Sequence, residues 1–108
     1  MSQTITIEAG QTLTITTPVQ VDSTGTPLPA PDPTYGSATI AFDSTFFTQE
    51  GAPISGEFLL KSTGLAGTTE VTTSETSSDT TKPVITDVIT VTVTEPAAAG
   101  LESTLSAA

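Results

Sequence analysis

The sequence predicts an all-β fold: a β-sandwich of about seven strands followed by a short C-terminal arm. Three observations carry this. Thr supplies 25 of the 108 residues, and its branched Cβ suits a half-buried pleated surface and disfavours helix. Apolar residues alternate with Thr, Ser and Gln at period two in several runs, the spacing of a strand with one buried face. Eight prolines and eight glycines punctuate those runs, as turns require. The length suits one domain, placed at 1–96, with the arm at 97–108.

The first run is QTITI at 3–7, with Ile5 and Ile7 on one face. Glu8-Ala9-Gly10-Gln11 reads as a turn. Residues 11–21, QTLTITTPVQV, keep Leu13, Ile15, Val19 and Val21 in one phase, with a kink or edge position at Pro18, which cannot donate to a ladder. The stretch 22–35 holds prolines at 27, 29, 31 and 33, which forbid helix and favour extended backbone. It is a long loop of the kind that often lies across another surface.

Residues 36–42, GSATIAF, resume alternation with Ala38, Ile40 and Phe42 inward. Phe46 and Phe47 belong to a short strand or a tucked loop. If both lie on a strand they point to opposite faces, and one becomes an outward anchor. GEFLLK at 56–61 gives another short strand, and 62–67 a turn-rich link. TTEVTTSET at 68–76 is a strand anchored by Val71, and 77–83 a polar turn. VITDVITVTVT at 84–94 is the strongest strand. Val84 and Val88 share one phase while Ile89, Val91 and Val93 share the other, so a β-bulge or sheet crossing is expected near Asp87. Pro96 ends the sheet. In the tail, Leu101 and Leu105 stand four apart, which suits one helical turn or an extended arm.

Charge and residue types exclude several function classes. The net charge is −10, with Lys61 and Lys82 the only cations. Two lysines cannot neutralise a phosphate backbone, so no nucleic acid is expected as a partner. The same charge opposes anionic membrane surfaces, and no run approaches the ~20 apolar residues of a spanning helix. There is no Cys, His or Arg, which removes disulfides, thiolate chemistry, Ser-His-Asp triads and His-based zinc sites. Phosphate-loop and dinucleotide-binding glycine patterns are absent. Both lysines lie beside Ser, Thr or Pro and read as solvated. Asp43, Glu50 and Glu57 fall singly on turns or polar strand positions, unlike the paired carboxylates of a glycosidase cleft. Asp22, Asp32, Asp79 and Asp87 lie near inter-strand links, where calcium could be held, but no calcium-loop signature exists. The sequence thus predicts no enzyme, no cofactor and no metal.

The strings EAGQTLTIT, GSATIAF, LAGTTEVTTS and ITVTVTEP together resemble a bacterial or phage immunoglobulin-like domain, over residues 3–96. A Gly-Thr-Thr-x-Val strand, a polar hairpin and a Val/Thr strand ending in Pro resemble the last hairpin of such modules. The Cys…Trp…Cys marker of antibody domains is missing, so a jelly roll or another small sandwich stays open. Such modules are common on bacterial surface proteins and tailed-phage virions. The start, Met1-Ser2-Gln3-Thr4, has no basic or apolar leader character. The resemblance therefore implies a capsid decoration protein, made in the host cytoplasm and placed on the virion surface. Its expected partners are capsid or other virion subunits, or sister copies. The alternative is an adhesin-type module that binds carbohydrate or a receptor. The residues expected to touch a partner are Pro29, Pro31, Tyr35, Phe46, Leu101 and Leu105.

Overall fold

The protein is described here by a computed structural model covering residues 2–96 and 98–107. Met1, Ala97 and Ala108, which the domain boundaries above include, lie outside the described residues. Seven strands form: β1 (Ser2–Glu8), β2 (Thr12–Ile15), β3 (Thr39–Ala41), β4 (Phe47–Glu50), β5 (Phe58–Ser62), β6 (Gly67–Glu75) and β7 (Ile85–Thr94). Among the described residues there is no helix. The strands make two sheets, a four-stranded one in the order β1-β7-β6-β3 and a three-stranded one in the order β2-β5-β4.

β1 runs parallel to β7, from Ser2 opposite Val88 to Glu8 opposite Thr94. β6 and β7 pair antiparallel without interruption, from Gly67 opposite Val93 to Glu75 opposite Ile85. The expected bulge near Asp87 is therefore not formed. Ile85, Asp87, Ile89, Val91 and Val93 share the inward parity, and Val88 faces out with Thr90 and Thr92. A carboxylate standing at an inward position mimics a phase change in the sequence.

The core is small. Ile7, Leu13, Phe47, Leu60, Val71, Ile89, Val91 and Val93 are buried between the sheets. Ala9, Ile15, Ile40, Phe42 and Phe46 pack against them at its margin. Burying such a side chain is worth ~1.5–3 kcal/mol relative to leaving it in water.

The long strand expected over 11–21 is cut short. β2 stops at Ile15, three residues before Pro18, and the chain leaves the sheet. Val19 is 64% exposed, although its sequence phase places it inside. Val21 makes only an isolated bridge to Pro27. The expected strand over 36–42 shrinks to β3, but its inward parity at Ile40 holds. The tail forms no helical turn: residues 98–107 carry no regular structure and are exposed throughout. They contribute to a long axis of 76 Å, against 25 and 24 Å for the other two.

Candidate binding site

Four Asp-x-Thr segments build the connections. The Oδ1 atoms of Asp22, Asp32, Asp43 and Asp79 each accept a hydrogen bond from the backbone N–H of the Thr two residues on. The four distances are 2.8, 2.9, 2.9 and 3.0 Å. Each also accepts one from that Thr's hydroxyl, at 2.6–2.8 Å. This is the local bond by which Asp stabilises a turn. It favours the charged carboxylate. The Thr24, Thr45 and Thr81 hydroxyls accordingly hold Asp22, Asp43 and Asp79 below the usual carboxylate range.

Asp32 is held lowest, at about 2, chiefly by its bond to Lys82 and then by Thr34. The Lys82 ammonium stands 2.5 Å from Asp32 and donates also to the Thr34 hydroxyl at 3.4 Å. Its own affinity for the proton is raised by the Asp32 bond. Lys82 is thus half-buried and ion-paired rather than the free, solvated lysine of the sequence reading. Lys61 is exposed on β5.

Around that pair the proline-rich loop is strapped to the β6–β7 connection. The Gln20 side chain accepts from Asp32 N at 2.7 Å and donates to Asp32 O at 3.2 Å. Ser78 N donates to Thr34 O at 2.8 Å, and Gly36 N to Thr76 O at 3.1 Å. The Thr34 and Ser77 hydroxyls lie 2.8 Å apart. The Tyr35 hydroxyl donates to Pro83 O at 2.7 Å. Tyr35 is therefore a half-buried staple, with its hydroxyl already engaged.

The six residues expected at a partner contact fall in three places. Pro29 and Pro31 are exposed on the strapped loop. Phe46 lies in the turn before β4 and packs against the core, with its ring beside Gly67. The outward anchor required both Phe residues to lie on a strand; Phe46 precedes β4, so that condition is not met and the alternative of a tucked aromatic describes it. Leu101 and Leu105 are 102% and 89% exposed on the tail. That tail follows β7 at the end of the sandwich where Thr94 meets Glu8, whereas the proline loop caps the end where Glu75 meets Ile85. At ~3.3 Å per residue the ten residues of β7 separate those ends by about 30 Å.

A feature the sequence reading did not single out lies along one flank. An open cleft of about 570 Å3 runs between β1 and the 12–21 segment, lined by Ile5, Leu13, Ile15, Val19 and Ile85, with Asp87 in its wall. It exists because β2 is three residues shorter than β1, so the first half of β1 has no strand facing it. Ile5 is 40% exposed as a result. The Asp87 Oδ2 accepts from Gln3 Nε2 at 2.6 Å, while its Oδ1 is buried without a hydrogen-bond partner. The polar residue at an inward parity of β7 was the available signal.

Of the four aspartates considered for calcium, Asp22, Asp32 and Asp79 are committed to their own turns and Asp87 stands apart in the cleft. Among the described residues no three Asp or Glu side chains come together as a metal-holding group. Compared with known proteins, the chain matches no family model and no curated protein.

Proposed function

We propose that the chain is a non-catalytic, immunoglobulin-like module that decorates a virion capsid and attaches through the segment that follows β7. The observation that carries the reading is this segment: two leucines, Leu101 and Leu105, stand in water beside a sandwich that already has its own core. These leucines are the most exposed large apolar side chains among the described residues, and a partner that covered both would gain the burial that the sandwich does not give them. The strand order supports the immunoglobulin-like part. β2-β5-β4 corresponds to strands B-E-D of that sandwich, and β3, β6 and β7 to C, F and G. β1 differs in pairing with β7 instead of β2. The carboxylates supply turns and an ion pair rather than a reactive pair, which supports a binding role. A glycan-stacking adhesin has less support, because the single tyrosine is held by Pro83.

The test uses virions of the phage that encodes the chain, stripped of it and incubated again with purified protein. Each leucine buried in a contact is worth ~1.5–3 kcal/mol. The double variant Leu101→Ser/Leu105→Ser should therefore lose at least about a hundredfold in affinity, with no change in melting temperature. Saturation of the particles at unchanged affinity overturns the proposal.

A further inference from the structure

We infer that the open flank between β1 and the 12–21 segment is an acceptor groove for an extended, basic-flanked segment of a partner protein. The inference goes beyond the arm-based attachment proposed above and does not need it. β1 and β2 are edge strands of different sheets, joined by the turn through Gly10, so they border the same flank. No described strand pairs with the outer edge of β1, which leaves main-chain donors and acceptors open to an added strand. Beside that edge lies the cleft, about 570 Å3, within the ~300–1,000 Å3 of clefts that hold ligands. A strand laid along β1 would place alternate side chains into it, against Ile5, Ile15 and Ile85.

The chemistry of the occupant is set by charge. Asp87 and Glu75 line the cleft, and no lysine does. Lys82 is engaged by Asp32, and Lys61 projects from β5 in the other sheet. The Asp87 Oδ1 lies below the surface without a donor, so the carboxylate is incompletely satisfied, and its exposed Oδ2, bonded so far to Gln3 Nε2, is the oxygen that an incoming ammonium or guanidinium can reach. A cationic donor gives the stronger bond. The chain's own tail is a poor occupant, because its charged residues are Glu95 and Glu102. A second copy, again at net −10, is opposed for the same reason. The fitting partner is an extended segment with aliphatic residues at alternate positions and a Lys or Arg placed to reach Asp87.

Fluorescence anisotropy on the full chain tests this with three labelled peptides: a Val/Thr alternation carrying lysines, the same alternation carrying glutamates, and residues 95–108 of this chain. The lysine peptide should bind, more weakly as salt rises, and should shift the NMR signals of Ile5, Ile15, Val19 and Ile85. Asp87→Asn keeps the volume and should weaken it at least about tenfold. Val19→Lys, at an exposed position outside any strand, leaves the core intact and should remove the preference for lysine over glutamate. Equal binding of the two alternating peptides overturns the inference. So does binding of none, or tightest binding by the 95–108 peptide. None of those results alters the leucine-dependent attachment to particles, which is read separately.

Discussion

Leu60 is the residue through which the smaller sheet is held. It lies at 0% exposure on the central strand β5, opposite Leu13 on one side and Gln49 on the other. Replacing it with Ala removes three carbons from a core of eight buried side chains and leaves a void between thin sheets. Such changes cost ~2–5 kcal/mol, and ~3 is a central value. A domain of this length has ~5–15 kcal/mol in total. Its unfolding entropy near 60 °C makes 1 kcal/mol worth about 4 °C, so the melting temperature should fall by about 12 °C. Thermal unfolding followed by circular dichroism measures the shift, and urea unfolding should give a lower midpoint with an unchanged slope. Thr48→Ala, exposed on β4 opposite Lys61, is the control and should stay within ~0.5 kcal/mol. A Leu60→Ala shift no larger than that of the control would refute the claim that the two sheets are clamped through this side chain.

Two further outcomes follow from the turns. Asp22, Asp32, Asp43 and Asp79 all titrate lower in the folded chain than their ordinary 3.8. The unfolded state therefore takes up protons first as pH falls. The stability these groups contribute is complete above about pH 4 and is lost toward about pH 2, where Asp32 itself titrates. Urea midpoints measured across that range should decline, and Asp32→Asn should flatten the decline; a midpoint constant down to pH 2 contradicts the turn assignments. Among the glycines, Gly67 has φ +141° and a Cβ there would meet the Phe46 ring at 3.3 Å, whereas a Cβ at Gly51 meets nothing within 4 Å. Gly67→Ala should cost ~1–3 kcal/mol and Gly51→Ala less than ~0.5 kcal/mol, read as the difference between their urea midpoints.

Period-two alternation made most of the fold legible. Leu13, Ile40, Val71, Ile89, Val91 and Val93 face the interior as their parity predicts, because each lies on a strand that is paired. Parity failed where the backbone left the sheet or the facing strand ended. Val19 keeps the phase of Leu13 but follows the point where the backbone leaves the sheet, so its phase no longer refers to a core. Ile5 lies on a true strand with the right parity, yet the strand that should cover it ends early; its exposure depends on the length of β2 and not on its own neighbours in sequence. The four Asp-x-Thr turns stand in the sequence as strings, since each bond is local, but their aspartates read there only as calcium ligands or lone surface charges. That the Asp32 turn would also capture Lys82, fifty residues away, depends on how the sandwich closes. The cleft was hidden for a related reason: Asp87 was read as an interruption of the pattern when it is a member of it.

The pairing of the first strand with the last, in the same direction, gives the sandwich a mechanical character. Ser2 and Thr94 lie at opposite ends of one ribbon whose register runs through seven residue pairs. Tension applied between those two points pulls β1 and β7 along each other, so the rungs share the load and must yield together. The β6–β7 hairpin, pulled open from one end, would instead release its rungs one at a time. A module wired this way resists stretching along the direction of those two strands.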